Sequence, residues 1–109
     1  MTEITVYSKN GALVGFEAAG HTGYAEHGED IVCAAVSAIT QTAVIGIKEL
    51  VKAPCALEVM DGGLCLMLDR SVRGEQLNKA ELILETMLMG LRSIENDYSD
   101  YLKLIKREV

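Results

Sequence analysis

The sequence predicts a single α+β domain in which an antiparallel sheet packs against two helices. Two tight-turn signals, Asn10-Gly11 and Asp61-Gly62-Gly63, each separate a pair of short apolar runs and therefore predict two β-hairpins. Two longer segments, at about 30–52 and 75–95, have the apolar content or the three- and four-residue spacing of helices. The predicted order is ββαββα, and the C-terminal segment 98–109 fits either a closing strand or a frayed helix end.

The first hairpin leads the chain to Gly20-His21. The eight residues that follow, 22–29, are polar and interrupted by Gly23 and Gly28, which predicts an exposed loop. We expect this loop to be mobile without substrate and ordered with it, with Tyr24 as a candidate lining residue of a substrate groove.

The first predicted helix is apolar nearly all round, which indicates burial on most of its faces. Pro54 follows its expected end and prevents its continuation. Three of its less apolar residues, Cys33, Ser37 and Gln41, follow one another at intervals of four and therefore share one stripe of the helix.

The second hairpin ends in a strand that is apolar on both faces. Leu64, Leu66 and Leu68 fall on one face, whereas Cys65 and Met67 fall on the other. Two helices on one side of a sheet cover only one of these faces. We therefore expect a homodimer that buries the second face.

Composition narrows the classes of function. The chain has 109 residues, enough for one core, and a net charge of −6, which disfavours direct binding of nucleic acid. Its three cysteines form no C-x-x-C pair, so we expect neither a disulfide framework nor a zinc knuckle. The N-terminal residues lack the pattern of a secretion signal, and polar residues interrupt the longest apolar run, 31–47. These features predict a cytoplasmic protein with no membrane partner.

The combination of His21 and Cys33 is the strongest chemical signal in the sequence. A cysteine attacks as the thiolate, and both a helix N-terminus and an imidazolium favour that form. With Asp30 or Glu29 as the N-cap, Cys33 falls in the first turn of the predicted helix. The pair therefore indicates nucleophilic thiol catalysis.

The residues Gly20-His21, Gly28 and Asp30-Ile31-Val32-Cys33-Ala34-Ala35-Val36-Ser37 resemble the signature of the ribosomal-processing cysteine protease family of Firmicutes and related bacteria. The resemblance extends over essentially the whole chain in length and element order. It implies a homodimeric cysteine endopeptidase that removes the N-terminal extension of large-subunit ribosomal protein twenty-seven, a basic precursor. It places the nucleophile at Cys33 and the general base at His21, and needs no cofactor.

Other motif residues have two interpretations each. Asp30 fits a helix cap better than a third catalytic residue. Ser37 could hydrogen-bond the thiolate or the substrate, or could bond back to a carbonyl of its own helix. We expect Gly20, Gly23 and Gly28 to give flexibility to a substrate-gated loop, and free N–H groups at the helix start, including that of Cys33, to hold the oxyanion.

Two alternatives compete with this interpretation. In the first, the chain is a non-catalytic ribosome-assembly binding module whose His and Cys are structural, and Cys33 would then show no preferential alkylation. In the second, His21, His27, Asp30 and Cys33 bind a metal, but their spacing is irregular and their donor types are mixed. The sequence therefore favours a cysteine endopeptidase without a metal.

Overall fold

The computed structural model describes residues 1–20 and 27–109, and for residues 27–30 it describes the backbone alone. In chain order its elements are β1 (Thr2–Lys9), β2 (Ala12–Ala19), α1 (His27–Ile45) with a π-helical extension (Gly46–Val51), β3 (Cys55–Met60), β4 (Gly63–Leu68), α2 (Gly74–Asp97) and β5 (Leu102–Glu108).

The described strands form one five-stranded sheet in the order β3-β4-β2-β1-β5. Neighbouring strands are antiparallel except β5, which runs parallel to β1 with Thr2 opposite Leu102. The expectation of an antiparallel sheet is therefore wrong at this edge, and the C-terminal segment is a strand. The reason lies in α2, whose 24 residues span about 36 Å and return the chain to the end of the sheet where β4 began.

Both predicted hairpins are confirmed. Asn10 and Gly11 have φ values of 53° and 83°, the left-handed conformation that a two-residue turn between twisted strands requires. Alternate residues of β1 point into the core, where they meet buried residues of the other strands and of both helices. Fully or almost fully buried core side chains include Ile4, Phe16, Val32, Ile47, Leu66, Leu84 and Leu91.

Helix α1 differs from its prediction at its start and in its burial, whereas its predicted end near residue 52 is confirmed. It begins at His27 rather than near Asp30, and its helical path continues through the π-helical extension to Val51. It is not buried on most faces, because Ile31, Ile45 and Leu50 are exposed. The helix packs on the sheet along one stripe only, and its apolar content on the other side remains uncovered within the chain.

Within the described residues, one helical stretch, Ile31–Val51, is long and apolar enough to cross a membrane, with a mean hydropathy of 1.7. The sequence predicted that polar residues within this stretch prevent it from crossing a membrane, but its mean hydropathy alone does not support that prediction. Core helices of soluble proteins have the same length and composition, and Val32, Val36 and Ala43 of this stretch are buried in the core.

The outer face of β4 is accommodated within the chain to a greater extent than the sequence indicated, so it gives less reason to expect a second subunit there. Met67 lies over Gly15 of β2, where an added methyl group would meet the Met67 sulfur. Cys65 lies opposite Glu17 and Glu58 on the two neighbouring strands. Polar neighbours and a glycine therefore accommodate this face within the chain, and Cys65 and Met67 are both half-buried.

Candidate active site

Cys33 lies on the face of α1 that borders the sheet. Val32 and Val36 are 1% and 3% exposed and anchor this part of the helix in the core. Cys33 follows Val32 and is only half-buried, so its thiol sits at the edge of the core. The buried valines therefore hold this part of the helix in place, and the sulfur of Cys33 lies at the margin of the core.

The thiol of Cys33 contacts the first strand of the sheet. Its Sγ lies 3.3 Å from Oγ1 of Thr2, a distance at which either group can donate a hydrogen bond to the other. Thr2 is 5% exposed, and its backbone N–H donates to the carbonyl of Tyr101 at 2.9 Å. The strand pairing therefore fixes the hydroxyl beside the sulfur.

Gly20 directly follows β2 and packs closely against the backbone of Met1 and Thr2. Its φ of 101° is a conformation that L side chains rarely adopt, and an added Cβ would overlap the carbonyl oxygen of Met1 and contact Cα of Thr2. His21 follows directly in the chain. Gly20 is therefore required for close backbone packing beside Thr2, the residue that Cys33 also contacts.

Gly20→Ala is expected to destabilise the fold by about 1–3 kcal/mol through backbone strain and overlap with Met1, and to lower cleavage activity by displacing His21. Gly11→Ala is the matched control, because Gly11 also has positive φ but has no neighbour within 4 Å of an added Cβ. Urea unfolding and cleavage rates of the two variants separate the two effects. Equal stability and equal rates in both variants would show that the overlap at Gly20 has no functional consequence.

A cavity of about 520 Å³ opens beside Cys33. One wall is the exposed stripe of α1, the floor is the end of β2 at Ala18 and Ala19, and the opposite wall is the β3–β4 hairpin. The hairpin contributes Val59, Met60 and Leu64, and Val59 is 74% exposed. None of the described lining residues is charged. The cavity therefore suits a segment of peptide with apolar side chains.

The stripe predicted from the sequence lines this cavity. Cys33, Ser37 and Gln41 all border it, and Gln41 Nε2 donates a 2.7 Å hydrogen bond to Ser37 Oγ. Thr40 also borders the cavity, although its hydroxyl donates to the carbonyl of Val36 at 2.8 Å. The polar groups along the wall are therefore oriented by bonds within α1, and Ser37 is held by a neighbour that sequence reasoning did not pair with it.

The early start of α1 corrects several predictions. Asp30 and Glu29 lie inside the helix rather than at its N-cap, and Cys33 lies in the second turn rather than the first. In a helix that begins at His27, the N–H of Cys33 belongs to the i→i−4 ladder and is not among the free donors of the helix start. Gly28 lies in the first helical turn rather than in the predicted 22–29 loop, which the helix tolerates because a glycine costs it only about 1 kcal/mol relative to alanine.

Several predicted site residues lie outside the described residues, namely His21, Gly23 and Tyr24, together with most of the predicted 22–29 loop. The structure therefore leaves the contact between His21 and Cys33 as a prediction. Among the residues that are described, no group of three or more His, Cys, Asp or Glu side chains is arranged to hold a metal ion.

The other two thiols lie on strands. Cys55 begins β3, and Cys65 is on β4, and both are half-buried. Burial raises the pKa of the Cys65 thiol, and the carboxylates of Glu17 and Glu58 raise this pKa further. A thiol with a raised pKa is mostly protonated at neutral pH, so Cys65 is a poor nucleophile.

Sequence reasoning missed Thr2 and the β3–β4 hairpin as parts of the site. Thr2 is remote from Cys33 in the chain and carries no motif, so only the pairing of β1 with its neighbours reveals it. The hairpin gave a weak signal, because Val59 and Met60 precede a tight turn where polar residues are usual.

Comparison with known proteins identifies the class of this fold and site. The family model described as Cysteine protease Prp matches residues 1–103. The Ribosomal processing cysteine protease Prp of Bacillus subtilis (strain 168) is 36% identical over 99 residues, which cover 89% of this chain and 88% of that protein. The fold is thus that of a cysteine protease. The chain belongs to the Prp family of ribosomal processing cysteine proteases.

Solved structures agree with this assignment. The ribosomal processing protease Prp of Staphylococcus aureus, in complex with a substrate peptide, superposes with a TM-score of 0.86 at 27% identity and covers 97% of this chain and 99% of its own. The same protease in complex with a covalently linked product peptide gives a TM-score of 0.82 at 28% identity, with the same coverage. Membership of a protease family decides against the non-catalytic binding module.

Proposed function

We propose that this chain removes the N-terminal extension from large-subunit ribosomal protein twenty-seven, with Cys33 as the nucleophile and His21 as the general base and acid. One observation carries the proposal: Cys33 lies at the rim of a cavity whose described lining residues are uncharged, beside the backbone that leads into His21. The S. aureus relative bound to a covalently linked product peptide supports a covalent route in this family.

The proposed reaction has two steps, acylation of Cys33 with release of the amine fragment and hydrolysis of the resulting thioester. His21 takes the proton of the Cys33 thiol, and the thiolate forms a bond to the scissile carbonyl carbon. The carbon–nitrogen bond then breaks, and the imidazolium gives its proton to the leaving amine. Water hydrolyses the resulting thioester, which releases the second fragment and restores the thiol. No cofactor or metal takes part in either step.

The shape of the cavity supports a substrate bound between α1 and the β3–β4 hairpin. The uncharged lining favours large apolar side chains of the substrate beside the scissile bond, held against Val59, Met60 and Leu64. The rest of the chain carries a net charge of −6, which attracts a basic ribosomal protein and repels nucleic acid. We propose that the reaction takes place in the cytoplasm, where ribosomal proteins are made, and that it has no membrane partner, because the buried stripe of α1 packs on the sheet.

The substrate assignment is tested by incubating the protein with the extended precursor and measuring product masses. We expect two products whose masses sum to that of the precursor plus one water. A precursor with a scrambled extension of the same composition is the control and should remain intact. Equal cleavage of both precursors would show that the extension is not recognised by its sequence.

We also propose a homodimer, formed through the outer face of the helices rather than through β4. Between α1 with its extension and α2 lies an apolar groove of about 690 Å³, bordered by Ile45, Leu50 and Leu82. These three side chains are 59%, 82% and 68% exposed in the single chain. A second copy would present the same apolar surface, which a two-fold contact requires.

Leu82→Glu is therefore expected to shift the protein from dimer to monomer, because it places a charge in the centre of the proposed contact. Sedimentation velocity at micromolar concentration measures the shift. Val59→Glu is the control, since Val59 is similarly exposed but lies on the β3–β4 hairpin. A monomeric wild type, or a dimeric Leu82→Glu variant, would contradict this interface.

A further inference from the structure

We infer that the hydroxyl of Thr2 donates a hydrogen bond to the Cys33 thiolate and thereby sets how readily this nucleophile ionises. The inference rests on the proposed role of Cys33. It starts from the 3.3 Å separation of Thr2 Oγ1 and Cys33 Sγ. A protonated thiol can donate to the hydroxyl, but a thiolate can only accept, so ionisation obliges Thr2 to be the donor.

Backbone contacts on two sides and burial of the side chain restrict the position of this hydroxyl. The N–H of Thr2 donates to the carbonyl of Tyr101, just before β5, and the Thr2 side chain is 5% exposed. On another side, the backbone of Gly20 packs against Met1 and Thr2. Strand pairing fixes the backbone of Thr2 and burial restricts rotation of its side chain, so the hydroxyl is held beside the sulfur and is preorganised for the charged form.

The hydrogen bond from Thr2 is important for the thiolate because of the side chains that surround it. The described residues that line the cavity carry no cationic side chain, and they include the apolar side chains of Val36, Val59 and Leu64. A hydrogen bond to a charged group contributes more to stability than one between neutral groups, and it is stronger in partly buried surroundings. Together with His21, Thr2 therefore favours the thiolate.

The expected kinetic effect depends on pH. Removing the hydroxyl lowers the thiolate fraction below the midpoint of ionisation, yet it makes the remaining thiolate more nucleophilic, since thiolate reactivity rises with basicity by a Brønsted coefficient of about 0.4–0.5. A tenfold loss of thiolate thus becomes a roughly threefold loss of rate below the midpoint. Above the midpoint the same change leaves the rate equal or raises it up to about threefold.

The test measures the pH dependence of Cys33 alkylation by iodoacetamide in Thr2→Val, together with kcat and KM for the precursor. We expect the alkylation profile to move to higher pH, kcat to fall about threefold below the midpoint of that profile, and KM to change less than twofold. Thr5→Val is the matched control, because Thr5 lies on the same strand with its side chain on the opposite face. It should leave both readouts unchanged.

A second pair of variants keeps the inference testable if Thr2→Val folds poorly. Thr2→Ser and Thr2→Ala differ only in the hydroxyl, so Ser should keep the wild-type alkylation profile and Ala should shift it. Identical profiles for Ser and Ala, or a wild-type profile for Thr2→Val, overturn the inference. The proposed function fails separately, if Cys33→Ala still cleaves the precursor.

Discussion

Cys33→Ala is expected to abolish cleavage of the ribosomal precursor, with a loss of about 10⁵-fold or more, while the fold remains intact. The size of the loss is that of removing a catalytic nucleophile, since no other group can form the covalent intermediate. Stability should change little because alanine favours helix, and because Cys33 is half-buried at the margin of the core.

The measurement is the rate of precursor cleavage, with thermal unfolding as the check on the fold. Cys65→Ala is the control, because it removes a half-buried thiol whose raised pKa keeps it protonated. This control should cleave at close to the wild-type rate. Cleavage by Cys33→Ala at a similar rate would remove Cys33 from the mechanism, and the loss of activity in Cys65→Ala alone would assign the nucleophile to β4.

His21→Ala is expected to have the second largest effect, with a fall in kcat of about 10³-fold or more. Two losses share one cause: the base no longer takes the thiol proton, and the leaving amine no longer receives one. Alkylation of Cys33 at neutral pH should slow as well, since an imidazolium next to a thiolate favours the ionised form.

The measurement combines cleavage kinetics with the pH profile of iodoacetamide alkylation. His27→Ala is the matched control, because His27 is the other histidine of the chain and begins α1. We expect its profile to follow the wild type. An unchanged alkylation profile in His21→Ala would leave Cys33 without the proposed partner, and a changed profile in His27→Ala would transfer the role to that residue.

The local parts of the fold could be predicted from the sequence because they depend on short-range signals. Asn10-Gly11 adopts the turn conformation its residue types favour, and the second hairpin turns at Asp61-Gly62. The stripe of Cys33, Ser37 and Gln41 follows from helical spacing alone, and all three residues border one cavity.

The non-local parts could not be predicted in the same way. The parallel pairing of β5 with β1 depends on where α2 returns the chain, and no residue of 98–109 encodes that direction by itself. The start of α1 was misplaced because Gly28 and Asp30 are typical of helix boundaries, whereas the structure accommodates both within the first turn. Thr2 could not be predicted as a site residue because only the pairing of β1 with its neighbouring strands places it beside Cys33.

The central step of the proposed mechanism is a covalent bond between Cys33 and the substrate. Acid quenching in the first turnover with excess precursor, followed by intact-mass measurement and peptide mapping, tests it. We predict a thioester on the peptide that contains Cys33, with a mass increase equal to the N-terminal fragment minus one water. A burst of one enzyme equivalent of the C-terminal fragment with Cys33 unmodified, or an adduct on Cys55 or Cys65, would contradict the account.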